Sequence, residues 1–430
     1  MPEQTVADLL GSCLAALGVR RVFGEPIPGL AHVAVDDPHL ARLLADADGR
    51  SGTAPGVAFL AGHTLRLSSR PGIITPAAPI TEVERIPGLL ATWGVGSVHA
   101  AAEFAFEVDL DASAPADLEP LVFEHPPELY TLSPTLADLR IVVLAGPGVV
   151  RSGQVDALQS FAAQAGVGVL NTWGAKGVFP WDSPFHFGTG GLQERDFELA
   201  GFRDVDLVIA AGVDEDESPR ERWEFAQSLE VEPESLLSLA FNWPPPERAP
   251  ERPRLYTELS AALASHYTAD DVPLRPARAA ADLAEVRPNG GLVAADPGPA
   301  GLWVARAFPT TEPGSVVVPA TPVRGFAAAA AFVAGLDGRP AIGVTTTPLD
   351  AETEAVVEFA RQRGVHLVLE EWGADGELSG PAEHRSQLID ALHGTGVHVL
   401  AVPVDFAQTR VLVDVAGPVV AWGLGGPGAD

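Results

Sequence analysis

The chain has 430 residues, of which 47% are hydrophobic and 20% charged, so it is too apolar for a disordered protein and long enough for about two to four globular domains. Its 27 basic and 57 acidic residues give a net charge of −30, which excludes nucleic acid and anionic membranes as main partners. The only cysteine is Cys13, which excludes an intrachain disulfide. The basic start of a signal peptide and an uninterrupted apolar run of about 18 residues are both missing, so we expect a cytoplasmic protein without a membrane segment.

The first block reads as an α/β unit. Apolar residues at helical spacing predict an amphipathic helix over 6–17, closed by Gly18, and 21–23 predicts a short strand. Further strands are predicted at 72–75 and 118–123, the second of these being the last of the block.

A polar stretch near residue 131 marks a boundary, after which a second block begins. The run IVVLAGPG (141–148) predicts a buried strand that leads into a glycine-rich turn, and helical spacing follows over 154–166. Strands are predicted at 167–172 and within 205–216, where the acidic run Asp214 to Glu217 is expected to form a solvated loop.

The segment 243–290 is rich in Pro, Arg, Glu and Ala and predicts a linker with connecting helices, one of them at 256–266. A third block then alternates strands and helices. Its predicted strands are 291–296, 315–319, 341–347, 365–370 and 398–404, and its predicted helices are 301–308, 325–335, 352–364 and 383–392. The fold class is therefore α/β, with three consecutive α/β domains whose mainly parallel sheets are flanked by helices, the central one Rossmann-like.

The second block carries a family resemblance. The stretches IVVLAGPGVVRSG, NTWGAKGVFPWDSPFHFGTGG and DVDLVIAAGVDEDE follow one another with short gaps. They resemble the central domain of thiamine diphosphate (ThDP)-dependent enzymes of the acetolactate synthase type, and the most specific signal is Lys-Gly-Val-Phe-Pro at 176–180. The resemblance implies a pyrimidine-binding-like domain at 1–131, a central domain plus linker at 132–275 and a diphosphate-binding-like domain at 276–430, both outer domains being shortened.

The resemblance also implies a catalytic glutamate in the first domain, which hydrogen-bonds the aminopyrimidine ring of the cofactor. In the family a helix follows this glutamate. Matching 54–72 to that pattern places Ala54 at the glutamate position, with His63 and Arg66 on one face of the expected helix. We therefore expect no catalytic residue there; Asp46 and Asp48 are the nearest alternative acids.

A Mg²⁺ site that anchors the diphosphate is the second implied feature. The family supplies an aspartate from Gly-Asp-Gly and an amide from Asn-Asn about two dozen residues later. Here Thr346 and Glu371 hold these positions, 371 − 346 = 25 residues apart, with Glu370 beside Glu371. Glu371 is the one candidate metal ligand, and a solvated loop at the end of the strand is the alternative interpretation of Glu370, Glu371 and Trp372.

Gly146 and Gly148, in the turn after strand 141–148, are candidates for a nucleotide-binding turn, because some family members hold FAD or an adenine nucleotide in the central domain. The alternative is a structural turn.

The leading hypothesis is a non-catalytic homologue, or pseudoenzyme, of the acetolactate synthase-type enzymes that acts as a binding, assembly or regulatory subunit. We expect no bound cofactor and either a homodimer or a hetero-oligomer with a ThDP-enzyme paralogue. One alternative is an active carboligase or 2-oxo acid decarboxylase that uses ThDP and Mg²⁺. A second is a nucleotide-binding regulator that acts through the central domain.

Overall fold

The structure, a computed structural model, describes residues 3–51, 56–60, 64–68, 78–80, 82–99, 103–122, 130, 132–244, 246 and 250–423. The chain divides into two compact units, 1–126 and 127–430. In the described part of the chain, no helix is both long enough and apolar enough to cross a membrane. The predicted α/β class is confirmed, whereas the division of the second unit at residue 275 stays a prediction.

The first unit contains a six-stranded mixed sheet. In chain order its elements are β1 (Glu3–Thr5), α1 (Val6–Ala16), β2 (Arg21–Gly24), β3 (Ala31–Ala34), α2 (Pro38–Ser51), β4 (Gly56–Leu60), β5 (Thr64–Ser68), β6 (Ala78–Pro79), α3 (Ile86–His99), β7 (Glu103–Glu107) and β8 (Ser113–Pro115). The sheet order is β3-β2-β4-β5-β7-β6, and β1 pairs separately with β8. Strands β3, β2 and β4 are parallel, whereas β4, β5 and β7 pair antiparallel.

Helix α1 forms where helical spacing predicted it. It begins at a capping box, in which Thr5 accepts the backbone N–H of Asp8 and the Asp8 carboxylate accepts that of Thr5. Its apolar stripe, which includes Cys13, is buried.

The helix predicted after Ala54 is wrong. Residues 56–60 and 64–68 form β4 and β5, which pair antiparallel. The sequence TLRLS of β5 alternates apolar and polar residues with the period of a strand, and this pattern was overlooked. Arg66 therefore lies on a strand, while Ala54, His63 and the strand predicted at 72–75 fall outside the described residues.

The strand predicted at 118–123 is also wrong over its described part. Residues 118–122 have no regular structure, and Leu121 and Val122 are 48% and 57% exposed. An apolar run forms a strand only where a sheet edge is available to it, and here the last strand of the unit is β8.

The second unit contains two parallel sheets. The elements of the first are β9 (Ile141–Ala145), α4 (Pro147–Arg151), α5 (Val155–Ala165), β10 (Gly168–Thr172), β11 (His186–Gly190), α6 (Asp196–Leu199), β12 (Leu207–Ala211), β13 (Gln227–Val231) and α7 (Leu236–Asn242). The strand order is β11-β10-β9-β12-β13, so the topology reverses between β9 and β12. Apolar clusters cover both faces of this sheet, which explains why its strands read as continuous apolar runs.

The second parallel sheet follows two connecting helices, α8 (Arg254–Tyr267) and α9 (Pro276–Val286), where the sequence predicted connecting helices and gave bounds for the first. Its elements are β14 (Leu292–Ala295), α10 (Pro299–Ala307), β15 (Val316–Val317), α11 (Phe326–Leu336), β16 (Ala341–Thr346), α12 (Ala351–Arg363), β17 (Leu367–Trp372), α13 (Pro381–His393), β18 (Val397–Val402) and α14 (Thr409–Ala416). The strand order is β15-β14-β16-β17-β18. Helix α11 is buried throughout its alanine run, and a Cβ at Gly343 of β16 would meet the carbonyl oxygen of Ala327 at 2.8 Å. Small residues thus let this helix lie directly on the sheet.

Candidate functional site

The carboxyl ends of β14, β16 and β17 bring the predicted cofactor positions together. We call this place the carboxyl edge and define it as Asp296, 345–347 and Glu371. Strands β16 and β17 are parallel neighbours in which Thr345 faces Glu371 and Thr346 faces Trp372. The edge is where open parallel sheets bind ligands, and the sequence correctly places Thr346 and Glu371 on it.

Two helices start at the carboxyl edge, and side chains of the chain itself cap both. The Thr346 hydroxyl accepts the backbone N–H of Ala300, in the first turn of α10, at 3.2 Å. The Asp296 carboxylate accepts that of Ala327, in the first turn of α11, at 2.7 Å. Helix N-termini hold phosphate groups through such backbone donors. At this edge those donors already have intramolecular partners.

Asp296 has an unusual ionisation. Burial raises its pKa to about 7, against the opposing effect of the Ala327 N–H, and the nearby Asp350 raises it further. Burial disfavours the charged form because water no longer solvates it. Near neutral pH this carboxyl group is therefore about half protonated.

Glu370 is not in a solvated loop: it lies inside β17, and both it and Trp372 are fully buried. Its carboxylate lies 2.8 Å from Nε2 of His384 and accepts the indole N–H of Trp372 at 2.7 Å. Nδ1 of His384 lies 3.0 Å from Asp282, which also binds Arg385 at 2.7 Å. We call Glu370, His384, Asp282 and Arg385 the buried ion network. It joins β17 to α9 and α13 and points away from a role for Glu370 in ligand binding.

His384 is a cation within this network. Burial lowers its pKa, but the charge of Glu370, the hydrogen bonds to Asp282 and Glu370 and the charge of Asp282 outweigh it, so that the pKa rises to about 9. Two carboxylates on one imidazolium satisfy both ring nitrogens.

Glu371, the candidate metal ligand, accepts a hydrogen bond from the Thr347 hydroxyl at 2.6 Å. Across the residues that the structure describes, no three His, Cys, Asp or Glu side chains converge as a metal site. Mg²⁺ prefers a near-octahedral set of oxygen ligands with at least one or two carboxylates beside the phosphate. At the carboxyl edge, a glutamate that already accepts a hydrogen bond and neighbouring threonine hydroxyls stand where the resemblance implies an aspartate and an amide as ligands of a Mg²⁺–diphosphate group.

Gly146 and Gly148 lie where the topology of the first parallel sheet reverses. The N–H of Gly148 donates to the carbonyl of Gly212 at 2.8 Å. A Cβ at Gly146 would approach the same carbonyl oxygen to 2.2 Å, and one at Gly148 would meet Cα of Gly212 at 2.6 Å. These glycines allow two loops to touch, which is a packing role; their use as a nucleotide turn stays a prediction.

The acidic run after β12 is partly buried, so the expected solvated loop is wrong for two of its members. Asp214 pairs with Arg151 at 3.0 Å. Glu217 accepts the Thr172 hydroxyl at 2.8 Å and the backbone N–H of Gly174 at 2.5 Å. Paired carboxylates can be buried where isolated ones are costly, and these partners are 40 or more residues distant in sequence.

An open cavity of about 550 Å³ lies beside Glu217. We call it the tryptophan cleft; its lining includes Trp173, Asp216, Arg222, Thr321 and Trp422. The two indole rings meet edge to face with centroids 5.6 Å apart. Trp422 adopts φ = +54°, an uncommon conformation for a non-glycine residue that often marks functional sites. Sequence reasoning missed this cleft; the one available signal was Trp173, directly after a strand.

The alternative acids of the first unit are both paired. Asp46 binds Arg50 at 2.9 Å, and Asp48 lies 3.3 Å from Arg21. Both aspartates are buried on α2.

Comparison with known proteins supports the family resemblance. The family model of the thiamine pyrophosphate enzyme central domain matches residues 137–234. A solved structure of a candidate thiamin diphosphate-dependent enzyme from Mycobacterium smegmatis matches with a TM-score of 0.67 and 18% identity, over 93% of this chain and 99% of that one. None of the curated proteins matches the sequence.

The fold is thus that of the ThDP-dependent enzymes, with α/β sheets flanked by helices. The match of residues 137–234 to the family model and the shared fold confirm the resemblance inferred from the sequence.

Proposed function

We propose that this chain is a non-catalytic homologue of the ThDP-dependent enzymes that serves as a binding, assembly or regulatory subunit. The observation that carries this proposal is the capping at the carboxyl edge. Thr346 and Asp296 each occupy one backbone N–H in the first turn of α10 and of α11, the kind of donor that holds a phosphate group. A diphosphate that used these two N–H groups would have to displace both hydrogen bonds.

Charge at the same edge supports the proposal. Asp296, Asp350 and Glu371 are acidic, and Asp350 is close enough to raise the pKa of Asp296. Without a divalent cation, those of these groups that are ionised repel a diphosphate. The carboxylate that the carboxyl edge offers to such a cation is that of Glu371, which already accepts a hydrogen bond from Thr347.

Calorimetric titration of the metal-free protein with ThDP in excess Mg²⁺ tests the proposal. We expect no saturable heat from protein whose folding is established by circular dichroism. An active acetolactate synthase-type enzyme, titrated under the same conditions, is the positive control. Saturable binding at micromolar ThDP would overturn the proposal, and turnover of a 2-oxo acid would establish the active carboligase or decarboxylase instead.

The subunit role predicts an assembly. Enzymes of this family are commonly oligomeric, so we propose a homodimer or a hetero-oligomer with a ThDP-enzyme paralogue. Light scattering after size-exclusion chromatography distinguishes these states, because the monomer has a mass of 44.8 kDa. A monomer at micromolar concentration that also stays separate from an added paralogue would contradict this part of the proposal.

A second candidate function is nucleotide-dependent regulation through the tryptophan cleft. The observation that favours it is that Trp422, Trp173 and Arg222 line a cavity of ligand size. Adenine nucleotides stack on such rings and pair their phosphates with arginine. Titration with ADP should quench tryptophan fluorescence saturably, and the quenching should be lost in W422A but kept in W303F, which lies in the core. Unchanged fluorescence up to millimolar ADP would refute this candidate.

A further inference from the structure

A small, partly open cavity in the second unit is lined by the only lysine of the chain. The cavity has a volume of about 20 Å³, and Lys176, His186 and Arg306 line it together with largely apolar side chains. The three basic residues are 6%, 4% and 6% exposed. A volume of this size holds one water molecule or an ion slightly larger.

Two of these basic groups lack hydrogen-bonding partners. Within the described parts of the chain, the Lys176 ammonium group has no acceptor, and only burial and the charge of Arg306 act on it. Nδ1 of His186 is buried without a partner. Buried polar groups are normally hydrogen-bonded, and an exception requires an explanation such as a bound ion.

Arg306 differs from the other two basic residues, because groups of the protein itself accept its hydrogen bonds and balance its charge. Its guanidinium group forms a buried ion pair with Asp196 and hydrogen bonds to Gln193 and to the carbonyl of Thr189. Asp196 is therefore already matched by one arginine. A protonated Lys176 has no counter-charge of its own.

The charges around the cavity are mainly positive. Burial and Arg306 lower the pKa of Lys176 to about 7, and burial, Lys176 and Arg252 lower that of His186 to about 3. The Asp196 carboxylate, which pairs with Arg306, has its pKa raised by burial against the effect of Arg306. The local field thus favours an anion although the whole chain carries a net charge of −30.

We propose that this cavity binds a small monovalent anion of chloride size, with the Lys176 ammonium group as its counter-charge and the His186 ring as a hydrogen-bond donor. Apolar walls strengthen the ion pair because they exclude water. The volume excludes sulfate and organic acids such as gluconate. The site is separate from the carboxyl edge and from the tryptophan cleft, so it does not depend on the proposed function.

The single lysine makes a direct test available. Protein labelled with ¹³Cε-lysine gives one side-chain resonance, whose shift follows the protonation of Lys176. Because an anion stabilises the ammonium form, the protonation constant should rise at least tenfold in sodium chloride relative to sodium gluconate of equal ionic strength. Equal constants in the two salts would overturn the proposal, since water alone would then fill the cavity.

The variant R410K provides the control for general salt effects. Arg410 is 86% exposed at its side chain, so the lysine introduced there reports ion effects at the surface in the same spectrum. Its protonation constant should be the same in both salts.

A stability measurement supplies an independent readout. Chloride, compared with gluconate, should raise the melting temperature of the native protein and of K176R, and this chloride effect should vanish in K176M, which keeps the length of the side chain without the charge. A chloride effect of equal size in K176M would place the anion elsewhere and refute the assignment.

Discussion

Replacing Glu370 by glutamine tests whether its carboxylate has a structural role or a role in ligand binding. Glu370 is fully buried and supplies the strongest favourable charge to His384. The amide of glutamine keeps nearly the same shape and can still accept the indole N–H of Trp372. The substitution therefore removes one charge and also the acceptor for Nε2–H of the His384 imidazolium, because an amide has a single acceptor oxygen.

The magnitude follows from His384. Its pKa rises from 6.5 to about 9 on folding, and each pKa unit corresponds to about 1.4 kcal/mol, so the whole network contributes on the order of 3 kcal/mol. Because the folded-state pKa is raised, this contribution is fully present below about pH 6.5 and is lost as the pH rises through 9. In E370Q we expect a loss of about 2 to 4 kcal/mol at pH 6 and a much smaller loss at pH 10.

Urea unfolding followed by tryptophan fluorescence measures the difference between native protein and E370Q at both pH values. Other titrating groups affect both proteins alike and cancel in that difference. The matched control is E371Q on the same strand, which keeps the Thr347 hydrogen bond and should cost less than about 1 kcal/mol at either pH. A cost for E370Q that is equal at pH 6 and pH 10, or no larger than that of E371Q, would refute the charged network.

Three further predictions concern packing and the buried groups. In G148A the new Cβ meets the backbone of the opposing loop at 2.6 Å, so we expect the free energy of unfolding, measured in urea, to fall by about 1 to 3 kcal/mol. The control is G88A, whose Cβ meets open space within a helix. This variant should be neutral or slightly stabilising. Burial raises the pKa of Cys13 to about 11, so its thiol should not react with a disulfide reagent at pH 8 until denaturant is added; rapid reaction in native buffer would contradict the packing of α1. Loss of the buried Arg306 to Asp196 ion pair in R306M should cost about 3 to 5 kcal/mol, and the double variant R306M/D196L should recover most of it; an equally unstable double variant would argue against an uncompensated charge as the cause.

The sequence predicts all five strands of the second parallel sheet and three of the five strands of the first, β11 and β13 being missed. The strands that it predicts have local signals. A strand that is covered on both faces, such as 207–211, must be apolar throughout. A helix such as 351–363 begins at its own capping residue, Asp350, and its sequence shows the helical spacing of apolar residues. Both signals depend on residues within one element. The boundaries deviate by a few residues, and α14 was missed because it follows the last predicted strand.

The mixed sheet of the first unit was predicted poorly for a physical reason. The segment 56–68 is a hairpin whose strand β4 is buried on both faces while β5 alternates. An apolar run followed by a mixed one can be read as one amphipathic helix. Pairing decides between the two structures, and pairing depends on β2 and β7, which flank the hairpin in the sheet.

In the candidate site, too, contacts between residues that are distant in the chain limit what the sequence predicts. The sequence places Thr346 and Glu371 on one sheet edge because the carboxyl ends of neighbouring parallel strands meet there. The burial of Glu370 in an ion network depends on His384 and Asp282. These two residues lie 102 positions apart in the chain. Adjacent glutamates on a strand point to opposite faces, so one enters the core and the other stays at the edge. Only the tertiary structure shows which side chains contact each of them.

The carboxyl edge suggests that a single substitution does not restore a cofactor site. In T346D the aspartate would take the position of the family carboxylate, but it would also replace the threonine hydroxyl as the cap of α10, because aspartate is an equally good partner for the Ala300 N–H. The strand register pairs Glu371 with Thr345 and not with Thr346. The new carboxylate would therefore lie against the N-terminus of α10 and not beside Glu371, the one candidate metal ligand. We therefore expect titration of T346D with ThDP in excess Mg²⁺ to give no saturable heat, with thermal stability equal to or below that of the native protein. Micromolar binding by T346D would contradict the proposal that the capped and acidic edge as a whole prevents ThDP from binding.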